Sequence, residues 1–113
     1  MKIEKTSENG LEIINVSGTL DLQHVPEFKQ QVSGLLKNGQ ANIVFDLENL
    51  EFIDSAGLEA LLSTLVTARK IGGFVALAGV KKTVARVFEI THMDKAFEIF
   101  SDANEAIEKL ARR

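Results

Sequence analysis

Three stretches of this sequence are apolar on both of the faces a β-strand presents. Leu11, Ile13, Ile14 and Val16 crowd the first; Ile43, Val44, Phe45 and Leu47 fill residues 42–47; Phe74 to Val80 reads Phe-Val-Ala-Leu-Ala-Gly-Val. A strand of this kind must be covered on both sides. Segments of helical period, alternating with the strands, supply the cover. Val25, Phe28, Val32, Leu35 and Leu36 share one face of a helix over about 24–37, and Leu58, Leu61, Leu62, Leu65 and Val66 give a broad apolar face to a helix over about 56–71. Strands alternating with helices specify an α/β fold, a parallel or mixed sheet flanked by helices.

The remaining elements fall between these. Residues 2–7 and 11–17 read as paired strands around Asn9-Gly10, because a type I′ turn needs positive φ at both central positions and Asn-Gly tolerates it. Gly18-Thr19-Leu20-Asp21 follows the second strand, with Asp21 an acceptor near the next helix start and Pro26 suited to its first turn. Asn38-Gly39 and Gly72-Gly73 are helix stops. A helix over about 81–90 carries Val84, Val87 and Phe88 on one face. After a turn at Thr91–Asp94, Phe97-Glu98-Ile99-Phe100 reads as a short strand, and Ser101-Asp102 caps a last helix bearing Ala103, Ala106, Ile107 and Leu110. The expected order is β-β-α-β-α-β-α-β-α, a mixed sheet of four to five strands with about four helices. A single Pro, tight turns and no linker or repeat make residues 1–113 one expected domain.

The 113 residues are 45% hydrophobic and 26% charged, which supports a buried core and argues against disorder. Cysteine is absent, so disulfides, thiolate metal sites and cysteine nucleophiles are excluded together, and a reducing compartment fits. Met1-Lys2-Ile3-Glu4-Lys5 lacks the apolar run of a signal peptide, and no apolar stretch reaches the ~18 residues of a membrane span. A cytoplasmic location with no membrane partner is expected. The formal net charge of −3 argues against a nucleic-acid partner, which wants a basic face. The basic pairs Lys81-Lys82 and Arg112-Arg113 read as solvated surface.

No catalytic constellation emerges. His24 and His92 lack ligand-like spacing to a carboxylate or to each other, so no metal is expected. Neither phosphate-binding glycine motif is present, nor is a nucleophile elbow, and no cofactor is expected. Asp46 and Glu48, alternating with apolar residues at a strand end, read as solvated acids.

One site remains, Asp54-Ser55-Ala56-Gly57. Ser55 sits where a buried strand runs out and a long helix begins, the end of an α/β sheet at which function is usually placed. Free N–H groups of the first helical turn and the helix dipole form an anion site there, and Gly57 leaves room for a bulky group to approach the backbone. An ordinary N-cap at Asp54 or Ser55 needs the same geometry, so both readings stand. Leu50, Phe52 and Ile53 before the motif and Ala56, Gly57 and Leu58 after it suggest an apolar rim suited to docking. About two negative charges added to such a surface would repel a partner, and Asp54 would add to the repulsion.

The element order, Gly18-Thr19-Leu20-Asp21, and Val44-Phe45-Asp46-Leu47 with Phe52-Ile53-Asp54-Ser55-Ala56-Gly57-Leu58 resemble the STAS domain, in particular the bacterial anti-sigma factor antagonists. The resemblance spans essentially the whole chain. It implies a non-enzymatic binding protein that engages an anti-sigma factor, itself a serine kinase of the histidine-kinase-like ATPase fold, and so frees a sigma factor. It implies phosphorylation at Ser55 as the off switch and a phosphatase of the PP2C type as the reset. It places Asp21 in the loop beside the phosphosite and makes Asp21, Phe52, Asp54, Ser55, Ala56, Gly57 and Leu58 the expected partner-binding residues. Ala56 stands where the best-known members carry a second serine, leaving Ser55 the one hydroxyl in the motif. Other bearers of this fold act as scaffolds of larger complexes, and a nucleotide-binding regulatory subunit is a further alternative.

Overall fold

The computed structural model describes residues 1–111; the Arg112-Arg113 pair lies outside them. Its elements are β1 (Lys2–Glu8), β2 (Leu11–Leu20), α1 (Val25–Lys37), β3 (Asn42–Asp46), β4 (Leu50–Ile53), α2 (Ser55–Lys70), β5 (Phe74–Ala78), α3 (Lys82–Ile90), β6 (Glu98–Phe100) and α4 (Ala103–Leu110). The α/β order is the expected one with one addition, the strand β4. The first hairpin turns through Asn9 at φ 54° and Gly10 at φ 80°, the pair of positive values that a type I′ turn demands.

The sheet runs β1-β2-β3-β5-β6, with β4 against the far half of β2. Only β1 and β2 are antiparallel; every other pairing is parallel, as crossover helices require. Strand β2 extends beyond the expected residue 17 and serves two neighbours in turn. Its residues Glu12–Asn15 pair with β3, and Gly18, Thr19 and Leu20 pair with β4, with a register shift between Gly18 and Thr19. Gly18 permits that shift by taking φ 82°. The expected post-strand segment Gly18–Leu20 is therefore strand, and the apolar run Leu50–Ile53, read from sequence as a lead-in to the motif, is its partner.

Side chains alternate across the sheet into two cores. Ile14, Val16, Ile43, Phe45, Val75 and Leu77 face α1, α2 and α3, joined by Phe28, Leu61, Leu65, Val84 and Phe88. Phe28 and Phe45 pack with ring centroids 5.5 Å apart. The opposite face, Leu11, Ile13, Val44, Ala76 and Ala78, is covered by Ala106 and Leu110 of α4. Small residues on β5 let that short helix lie close. Among the described residues no helix is long and apolar enough to cross a membrane, and no cluster of acidic, His or Cys side chains is placed to hold a metal ion.

Candidate functional site

The parallel partnership of β2 and β4 brings two chain reversals together at one end of the sheet. Leu20 pairs with Ile53, so the loop leaving β2 and the start of α2 emerge side by side. Asp54 joins them. Its backbone is extended, one carboxylate oxygen accepts the Gly57 N–H at 2.8 Å, and the other accepts the Leu22 N–H at 3.0 Å. Its own N–H donates to the Leu20 carbonyl at 3.3 Å. Asp54 is thus the N-cap of α2 and the tie between the two loops.

Ser55 is the first residue of α2 and is exposed. Its hydroxyl has no hydrogen-bond partner among the described residues. Of the two candidate caps named from the sequence, Asp54 does the capping, and the serine hydroxyl is not used by the fold. The Gly57 N–H goes to the Asp54 carboxylate and the Leu58 N–H to the Asp54 carbonyl, leaving the N–H groups of Ser55 and Ala56 at the open helix end.

Gly57 has a different reason from the one expected. A Cβ there would stand 2.2 Å from the Leu20 carbonyl oxygen and 2.9 Å from Ile53 Cγ1. The glycine lets α2 start against the end of β2; the room is taken by the protein, not held for a ligand. The apolar rim also needs correction. Leu50 and Ile53, the two ends of β4, are core residues at 0% and 1% exposure, and Leu58 at 3% faces the core from the first turn of α2. Of the expected partner-binding residues, Gly57 and Leu58 are buried and support the surface from below, while Ala56 is half-buried. Phe52 stays outside at 54% exposure and is joined by Leu22 at 70%, a residue that sequence reasoning missed. The available signal was a lone leucine in the polar run Asp21-Leu22-Gln23-His24.

Asp21 lies in the same loop, half-buried, with an oxygen 2.6 Å from His24 Nδ1. The hydrogen bond with His24 holds its carboxyl below the ordinary value, and the neighbouring histidine charge acts in the same direction. Its link to the serine runs through Leu22 and Asp54. On the other side, Ser55 opens on a pocket of about 210 Å³ whose walls are Leu58, Glu59, Leu62, Thr91 and Met93. Glu59, Thr91 and Met93 were likewise not foreseen; Thr91 and Met93 arrive from the turn after α3, which tertiary packing alone brings to α2. The pocket is lined by one acid and no base. Ser55 thus presents a free hydroxyl with two acids, Asp54 and Glu59, close to it in the chain and in the pocket.

Known proteins share this architecture. The anti-sigma-B factor antagonist of Staphylococcus aureus is 31% identical over 91 residues, covering 80% of this chain and 84% of that protein. The Thermotoga maritima protein TM1081 superimposes with a TM-score of 0.91 at 28% identity, over 98% of this chain and 95% of that one. The anti-sigma factor antagonist SpoIIAA in its unphosphorylated form gives 0.85 at 21% identity over 99% and 98% of the two chains, a likeness of fold. The STAS domain model matches residues 2–106, and the chain belongs to that family.

Proposed function

We propose that this chain is an anti-sigma factor antagonist, binding an anti-sigma factor through the surface around Ser55 and losing that partner when Ser55 is phosphorylated. The observation that carries the reading is the division of labour at the start of α2, where Asp54 caps the helix and Ser55 offers an exposed, unpartnered hydroxyl. The kinship with proteins named anti-sigma factor antagonists supports it. In this reading the partner is also the kinase. The Ser55 oxygen attacks the γ-phosphorus of the partner's ATP, the bond to ADP breaks, and the hydroxyl proton passes to a base of the kinase. A phosphatase of the PP2C type reverses the step by hydrolysis.

Electrostatics explains why one phosphate would release the partner. It adds roughly −1.5 to −2 charges at pH 7. Asp54 and Glu59 already place negative charge beside the serine, and Phe52 and Leu22 supply the exposed apolar area that a partner would desolvate. Phosphorylation puts an ion into that contact, and no cationic side chain is among the described residues that line the pocket beside Ser55.

The test is direct. Incubation with ATP and the cognate anti-sigma factor kinase is expected to add one phosphate, located on Ser55 by mass spectrometry; modification elsewhere overturns the site. Ser55→Ala is expected to keep the unmodified affinity, and Ser55→Asp to weaken binding about tenfold or more. Equal affinity for all three proteins overturns the charge mechanism.

A further inference from the structure

A second concave surface lies well away from Ser55, between α1 and the C-terminal half of α2. It has a volume of about 350 Å³ and is lined by Lys29, Val32, Ser33, Leu36 and Lys37 from α1 and by Ser63, Thr64, Thr67 and Ile71 from α2 and its cap. That volume falls at the lower end of small-ligand pockets, roughly 300–1,000 Å³. It is too small for a docked helix, which needs a long apolar trough.

The chemistry of the lining is uneven. Val32 and Leu36 form an apolar floor, and Ile71, 50% exposed, extends it at one end. Small hydroxyl residues, Ser33, Ser63 and Thr67, leave the space that larger side chains would fill. Thr64 has no hydrogen left to offer an anion, because its hydroxyl donates to the Ala60 carbonyl at 2.9 Å. Both charged residues of the groove are lysines, on a chain whose acids outnumber its bases 16 to 13. No carboxylate lines the groove, and neither Lys29 nor Lys37 has an ion-pair partner among the described residues. They stand about 12 Å apart along α1, from the helical rise, so a cation flanks each end of the apolar floor.

We propose that this groove binds a small amphiphilic anion, an aliphatic carboxylate of medium chain length, its chain along Val32, Leu36 and Ile71 and its head group at a lysine. Lysine suits the role, since its methylene stem covers apolar surface while the ammonium reaches an anionic head. The site is independent of Ser55. Its occupancy would stiffen α1 against α2, the helix whose first residue is the serine.

The probe is decanoate, titrated below its micelle concentration into the 15N-labelled full chain, with decanol as the neutral control. Saturable amide shifts confined to residues 29–37 and 63–73, a Kd for decanol at least about tenfold weaker, and a similar loss in the Lys29→Gln/Lys37→Gln double variant are expected. Thr67→Leu, which fills the groove without touching charge, should abolish the shifts. Equal binding of decanol, shifts elsewhere on the chain, or no saturation overturns the proposal. Each variant's unshifted spectrum checks that it is folded.

Discussion

Two adjacent residues at the start of α2 carry opposite burdens, and substitution should separate them. Asp54 accepts hydrogen bonds from Gly57 and Leu22, so Asp54→Ala removes a helix cap and a loop tie together. Each is worth about 1 kcal/mol, for an expected loss of about 2 kcal/mol in chemical denaturation. Ser55→Ala should stay within about 0.5 kcal/mol, because the fold makes no use of that hydroxyl. A loss at Ser55 equal to that at Asp54 would show the serine to be structural. The sequence named both residues but not their division, since Asp and Ser are equally good caps and only the φ/ψ of position 54 decides. Asp21 supplies a pH test. Its carboxyl is held below its ordinary value of 3.8, chiefly by the hydrogen bond with His24. The folded state therefore binds that proton less readily than the unfolded chain, and the stabilisation is present above about pH 4 and is lost as pH falls through the lowered value. Glu105 adds to the same trend through the Ser101 N–H. Asp21→Asn is expected to flatten the fall in denaturation midpoint below pH 4, and an unchanged slope would refute the assignment.

Among the elements, the helices were the most legible and β4 the least. Helix faces repeat over many residues, so α1, α2 and α3 appeared within a residue or two of their observed limits. Strand β4 spans four residues and has no alternation long enough to detect. It exists because β2 continues past β3 and needs a neighbour, a fact of the sheet rather than of residues 50–53. Helix ends show a similar contrast. Three helices finish in the same two-bond pattern: Gly39 to Leu36 with Gln40 to Leu35, Gly72 to Arg69 with Gly73 to Ala68, and His92 to Glu89 with Met93 to Phe88. Each pattern needs a left-handed residue, and Gly39, Gly72 and His92 have φ of 77°, 87° and 60°. Glycine takes this conformation freely, whereas histidine is strained by its Cβ. His92→Gly is expected to raise stability by about 0.5–1 kcal/mol, and Gly39→Ala or Gly72→Ala to lower it by a similar amount. A destabilised His92→Gly would mean that the exposed imidazole makes a compensating interaction. The residue is worth testing because the turn it shapes places Thr91 and Met93 against the pocket of Ser55.

At the scale of the molecule, the two faces of the sheet are unequally defended. One is covered by α1, α2 and α3 with large side chains, among them Phe28, Leu61, Leu65 and Phe88. The other depends on α4, a helix of eight residues whose buried contribution is Ala106 and Leu110. A helix that short has little stability of its own, and its start is held by the Asp102 side chain on the Glu105 N–H at 2.8 Å and by Glu105 on the Ser101 N–H at 2.9 Å. Detaching α4 exposes Leu11, Ile13, Val44 and Ala76 but leaves the larger core closed, so the molecule has a route to partial opening that spares the Ser55 site. Native-state hydrogen exchange should find the amides of Ala106 to Leu110 opening at lower free energy, and with weaker denaturant dependence, than those of Leu61 to Ala68 in α2. Uniform protection across both helices would show that the two cores unfold as one. The same asymmetry bears on the proposed binding surface. The start of α2 belongs to the deeper core, so under the proposed function the serine that a kinase and a phosphatase would both have to meet stands on the part of the fold with the most material behind it.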